Sequence, residues 1–281
     1  MCSADSTSIR DSTGVDLNCA GMPKAAGVFL AMLFASSACA HDTWLRPRTA
    51  GGALSVELTA GERFGKPEIA AASEHIARAA YRLRGATFQL GAPKAEERLL
   101  RFPLATPDSG IATVWVSLVT RIVDLNDRQV AHYLDEIGAP EHVRRAWDAA
   151  GPSRRWRESF GQHTKTFIRV GKPGADRSWS APVGQPLEIV PATDPTGLKA
   201  GGTLRVRVLQ EGEPLPLIQV SCVAGTGKVH WREMTDKAGM ASCPLASSGL
   251  WLVRATELRR SRTQGADWES EWASMTVEVR Q

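Results

Sequence analysis

The chain has 281 residues, 43% of them hydrophobic and 23% charged, with a formal net charge of +4. That length supplies one large or two small domains, and so mild a charge excludes the dense basic surface that nucleic-acid binding requires. The tightest basic cluster, Arg154-Arg155-Trp156-Arg157, is short and followed by Glu158, so it reads as a solvated patch.

Residues 22–40, "MPKAAGVFLAMLFASSACA", have the parts of a secretory signal peptide. Lys24 is the basic start, and residues 25–35 form an apolar core too short to span a bilayer of about 30 Å. Ala38-Cys39-Ala40 offers small residues for cleavage before His41. The first twenty-one residues are polar and carry three aspartates, which predicts translation from Met22 and an over-called start. The expectation is an exported protein, periplasmic or secreted, soluble once cut. Of five cysteines, Cys222 and Cys243 then remain, and an even pair in an oxidising compartment predicts a disulfide.

Beyond residue 41 most of the chain alternates with period two. "LSVELTA" (54–60), "YRLRGATFQL" (81–90), "IATVWVSL" (111–118) and "GQHTKTFIRV" (161–170) read as strands. So do "TLRVRVL" (203–209), "LIQVSCV" (217–223), "LWLVRAT" (250–256) and "ASMTVEVR" (273–280). Residues 126–150 break this rhythm. Val130, Leu134 and Ile137 recur at helical spacing, Gly138 can end one helix, and Pro140 suits the first turn of a second. A Gly/Pro/Ser-rich stretch at 172–185 suggests a boundary. The predicted fold is mainly β, with two antiparallel β-sandwich domains at 41–182 and 183–281. The first carries the helical hairpin 126–150, and the second is Ig-like or transthyretin-like.

Enzyme signatures are absent: there is no G-x-S-x-G, H-E-x-x-H, C-x-x-C or P-loop. "GTGKVH" reads as a hairpin turn. The six histidines are the remaining chemistry. Cleavage before His41 would free an α-amine, with a pKa near 7.7–8.0, beside an imidazole. Those two nitrogens can chelate one ion, and a second imidazole would complete a nitrogen-rich site suited to Cu(II) or Ni(II), a histidine brace. His163 lies on a strand with Lys165, Phe167 and Arg169 on one face, where the alternative is a polar residue on a solvated surface. His132 and His142 fall on the helical hairpin and His75 in an alanine-rich, helical-looking stretch, all read as surface or packing residues. His230 belongs to the second domain.

The pieces "AHDTWLRP" (40–47), "YLDEIGAP" (133–140), "RRWRESFGQHTKTFIRVG" (154–171), "LEIVPATDPTGLKAGGTLRVRVL" (187–209) and "DWESEWASMTVEV" (267–279) resemble a bacterial domain-of-unknown-function family. Its members are often labelled periplasmic components of cobalt or nickel transport systems. The resemblance implies an exported β-rich protein with a histidine just after its signal peptide. By position it implies His41 and His163 as metal ligands, a divalent transition metal (Ni, Co or Cu) as the bound ion, and a membrane metal permease as partner. The chain departs from the family at "RFGKPEIA", where an aromatic-proline pair is expected, so Glu68 is given no role. In "DWESEW" the tryptophans are read as packing, with Asp267 or Glu269 as alternative oxygen ligands.

Three readings follow. The first is a periplasmic metal-binding protein, without catalysis, that assists nickel, cobalt or copper uptake. The second is a structural or interaction module of two sandwiches with no metal. The third is a copper histidine-brace oxidative enzyme with tryptophans as a sugar-facing platform; Trp115, Trp231 and Trp251, however, sit in apolar strand patterns that suggest core.

Overall fold

The computed structural model describes residues 41–106, 108–151, 154–262 and 264–281. The expected signal peptide lies outside them. In chain order the strands are β1 (Asp42–Ala50), β2 (Ala53–Gly61), β3 (Ile76–Leu83), β4 (Ala86–Gln89), β5 (Lys94–Glu96) and β6 (Leu99–Leu104). There follow β7 (Gly110–Leu118), β8 (Arg121–Leu125), helices α1 (Asp127–Glu136) and α2 (Glu141–Asp148), and β9 (Trp156–Val170). The chain continues with β10 (Leu187–Pro191), β11 (Thr203–Gln210), β12 (Glu213–Pro214) and β13 (Gln219–Ala224). The last strands are β14 (Val229–Met234), β15 (Met240–Pro244), β16 (Gly249–Arg260) and β17 (Trp268–Val279).

These strands make three sheets. A central nine-stranded sheet has the order β14-β13-β16-β17-β9-β7-β3-β4, with β8 also paired to β9. An N-terminal sheet runs β1-β2-β6-β5, and a C-terminal one runs β10-β11-β12 with β15 on β11. The fold is mainly β, built by sandwiching, as the alternation predicts. Strands from both sides of residue 183 share the central sheet, through a parallel pairing of β9 with β17 that antiparallel reasoning did not anticipate.

Side-chain parity along β9 shows which layer covers which face. Ile168 packs with Leu45, Val56, Leu58 and Phe102 of the N-terminal sheet. Phe167, one residue away, packs with Leu187, Leu204 and Val206 of the C-terminal sheet. Successive strand residues face opposite ways, so even-numbered residues of β9 look toward the first sheet and odd-numbered ones toward the second. The Cys222–Cys243 disulfide ties β13 of the central sheet to β15 of the C-terminal sheet across the second core.

Two local readings need correction. The stretch around His75 is a single 3-10 turn, Ser73–His75, that leads into β3. Arg84 and Gly85, with φ of 51° and 83°, then turn the backbone between β3 and β4. The run 81–90 is therefore part of a hairpin and not one strand, because a two-residue turn with positive φ suits the twist of a hairpin.

The helical hairpin forms where expected. Asn126 caps α1 reciprocally with Gln129, and Val130, Tyr133 and Leu134 bury its inner face. Tyr133, Trp147, Trp156 and Trp268 form its shared core with the sheet. Glu158 lies inside that core, accepting hydrogen bonds from Trp156 Nε1 (2.7 Å), Tyr133 Oη (3.1 Å) and Ser270 Oγ. Burial pushes its carboxyl above the usual range, and the three neutral donors only oppose that rise.

Because the folded carboxyl holds its proton more tightly, its contribution is full below the unfolded pKa and is lost as pH rises through the folded pKa. Glu158→Gln should therefore gain stability relative to the wild type as pH increases from about 5 to 8. Paired urea denaturation curves across that range measure the gap; a gap independent of pH would contradict the assignment.

The buried Lys165–Glu188 ion pair predicts a larger effect. Both side chains are 2% exposed. Lys165→Met strands a buried carboxylate, so denaturation should show a loss of about 3–5 kcal/mol.

Candidate functional site

The N-terminal strand crosses the central sheet on its even-numbered face. Ser274 Oγ donates to the Thr43 carbonyl and Thr276 Oγ1 to the Leu45 carbonyl, each at 2.6 Å. These hydroxyls satisfy backbone acceptors of β1, an edge strand of its sheet. At the start of β1, Asp42 is 6% exposed and its Oδ1 lies 2.6 Å from Arg254 Nη1. The same Nη1 lies 2.8 Å from Glu136 Oε1, at the end of α1. The first residue of β1 is thus tied through Arg254 to the helical hairpin.

His41, half-buried, immediately precedes this anchored residue. Asp42 pairs with Gly61 across the hairpin, and a Cβ on Gly61 would come within 3.3 Å of Glu68 Oε2. The turn after β2 therefore folds the Glu68 carboxylate back over the strand end at Gly61, the residue paired with Asp42. Glu68 Oε2 accepts from the Glu62 N–H at 2.9 Å, and Oε1 lies 3.1 Å from Lys66 Nζ. The Glu62 N–H, the Lys66 ammonium and the His41 imidazole together hold the Glu68 carboxyl below its ordinary value. The carboxylate is thus held at the strand end that His41 precedes, paired with Lys66 and the Glu62 N–H.

His163 occupies a different place. Its parity is that of Lys165 and Phe167, so its imidazole leaves on the odd-numbered face, opposite to the one β1 crosses. There Nδ1 lies 3.0 Å from Ser117 Oγ and Nε2 lies 2.7 Å from Glu271 Oε2. In the tautomer whose Nε2 donates to Glu271, Ser117 donates to Nδ1. Gly161 makes room for this arrangement, since a Cβ there would meet Glu271 Oε2 at 2.2 Å. His163 is 6% exposed, so its strand face is covered and not solvated.

The structure does not bring His41 and His163 together around one ion. The sheet backbone separates them, and neither His163 nitrogen has a free lone pair aimed at an open space. His163 also borders a small space beneath β1 with Asp42, Thr43, Arg254 and Trp272, of about 10 Å³, enough for one water. Among the described residues, no three His, Cys, Asp or Glu side chains converge on a position that could hold a metal ion.

The other candidates are dispersed. His132 and His142 are exposed on the helices. His230 packs its ring against Trp251, with centroids 5.1 Å apart. Glu269 is engaged by Arg259 at 2.5 Å. Trp115 and Trp251 are core at 1% and 0% exposure, but Trp231 is 46% exposed, contrary to its apolar strand pattern. The edge position of β14 explains this, since no further strand covers it. The remaining tryptophans are buried or half-buried, so no row of exposed rings forms a sugar platform. Glu68, which sequence reasoning set aside, is the carboxylate that the turn after β2 folds over Gly61. Its signal was the Gly61 turn, which needs a partner in space that spacing does not reveal. No helix among the described residues is long and apolar enough to cross a membrane.

One prediction follows from the His163 network. Gly161→Ala should displace Glu271 and leave His163 Nε2 without its acceptor. The imidazole nitrogen shifts of His163 should then report a changed tautomer balance; unchanged shifts would contradict the assigned network.

No curated protein matches the chain. Among solved structures, it is similar to native alpha-2-macroglobulin from Escherichia coli over domains MG0-NIE-MG1, at 10% identity, 85% of this chain, 97% of that chain and a TM-score of 0.22. It is also similar to dimeric latent PorU from Porphyromonas gingivalis, at 12% identity, 85% of this chain, 20% of that chain and a TM-score of 0.21. A family model described as a domain of unknown function, DUF4198, matches residues 38–257. That match spans more than half of the sequence, and this chain belongs to the DUF4198 family.

Proposed function

We propose that the protein is an exported carrier of a divalent transition metal, and that the ion binds at His41 and Glu68. The observation that supports this reading most is the Glu68 carboxylate folded over Gly61, the partner of Asp42 in the strand pair that His41 precedes. Cleavage before His41 would add the α-amine, giving two nitrogens and one oxygen from this chain. Mixed N,O donors of that kind suit Cu(II) or Ni(II). The two side chains alone do not form a site, and the amine supplies what they lack. His163 has no part in it.

A carrier needs no general base and no nucleophile, in keeping with the missing catalytic motifs. In this reading the metal is cargo, handed on to a membrane permease. The second reading is an interaction module without metal, which the engagement of both His163 nitrogens by Ser117 and Glu271 supports.

Calorimetric titration with Cu(II), Ni(II) and Co(II) tests the proposal on a chain that begins at His41. Binding should fall sharply when one alanine is added before His41, and about tenfold in Glu68→Gln. His163→Gln should leave it unchanged. Equal binding in all four forms would overturn the site at His41 and Glu68, and absent binding in all four would favour the interaction module.

A further inference from the structure

Arg254 stands where three otherwise separate elements meet: the first residue of β1, the end of α1, and the centre of β16. Its side chain is 14% exposed, that of Asp42 6% and that of Glu136 15%. Burial alone would weaken its charge, but Asp42 and Glu136 more than offset this and keep the guanidinium protonated. Two water-sized spaces of about 10 Å³ flank it, one bordered by Asp42 and Trp272, the other by Glu136 and Thr256. Burial raises the Glu136 carboxyl above its ordinary value against the pull of Arg254, and Glu136 Oε2 has no hydrogen-bond partner among the described residues. His132, one turn earlier on α1, is the other titratable group that faces Glu136.

Among the described residues, Arg254 is the hydrogen-bonding partner of the Asp42 side chain. Its neighbours Thr43 and Leu45 are held through their carbonyls by Ser274 and Thr276. Those contacts set the path of β1 from residue 43 on; residue 42 is held by its strand pairing with Gly61 and, through its side chain, by Arg254. A chelate of an α-amine and an imidazole on a frayed terminus must first be ordered, at the cost of backbone entropy of roughly 1–2 kcal/mol per residue. Holding residue 42 in advance removes part of that cost.

We infer that Arg254, braced by Glu136, is the positioning residue of the His41 metal site. This rests on the metal-carrier reading. Arg254 touches no metal; it tethers the residue after His41, and with it the peptide that presents the amine and the imidazole. It also connects the metal site to the helical hairpin.

The test uses the full chain from His41, with Cu(II) as the probe, in wild type, Arg254→Met and Arg254→Lys. Arg254→Met should bind Cu(II) about tenfold more weakly, and its electron paramagnetic resonance spectrum should split into more than one species. Arg254→Lys should recover most of the affinity and a single spectrum, an outcome that general destabilisation would not produce. Wild-type affinity and an unchanged spectrum in Arg254→Met would overturn the inference.

Two further arms keep the test decisive. Should Arg254→Met fail to fold, Glu136→Gln replaces it, with a smaller loss in the same direction expected and no loss overturning the inference. Should wild type bind no Cu(II), the carrier reading itself fails. Hydrogen exchange then judges the anchor: faster exchange at residues 42–44 in Arg254→Met supports it, and unchanged exchange rejects it.

Discussion

The buried pair of Lys165 and Glu188 organises the rest of the molecule. Lys165 lies midway along β9, on the face that meets the C-terminal sheet, and Glu188 lies near the start of β10. Glu188 Oε1 also accepts from the Val183 N–H, and Oε2 from those of Gly184 and Gln185. Burial opposes both charges, yet Lys165 and these N–H groups hold the Glu188 carboxyl below its ordinary value. The connector between β9 and β10 is thus folded around one carboxylate. Gln185 then reaches back to the Val116 carbonyl of β7, which closes the odd-numbered face over His163.

This constraint accounts for the failure of the His41–His163 pairing. His163 and Lys165 share a face, and the connector that satisfies Lys165 also encloses His163 among Ser117, Gln185 and Glu271. The opposite face receives β1 and the helical hairpin. Between these two lies a narrow polar seam, joined by Arg254, at whose edge His41 and Glu68 sit. The sheet therefore separates a sealed polar network from an edge where chemistry with an outside ion remains open. The disulfide, on the sealed side, ties the two layers of the second core together.

Much of this was legible in the sequence. Alternation located β2, β7, β11, β13, β16 and β17, and helical spacing with Gly138 and Pro140 located the hairpin. Cys222 and Cys243 were readable as a bridge. Short edge strands such as β5 and β12 carry too few residues for a period to show. The parallel pairing of β9 with β17 joins segments about a hundred residues apart and leaves no local trace. Parity could be read, and it correctly grouped His163, Lys165 and Phe167, but which layer would cover that face could not. Glu68 was missed for the same reason: its closeness to His41 arises from a hairpin and a turn, with 26 residues of chain between them.

The central claim is that the cleaved chain binds metal through a single histidine. Electron spin-echo envelope modulation of the Cu(II)-loaded chain beginning at His41 counts the imidazoles bound to the metal. The account predicts one, unchanged in His163→Gln. Two coordinated imidazoles, falling to one in that variant, would contradict it and mean that β1 and the sheet rearrange to bring His41 and His163 together.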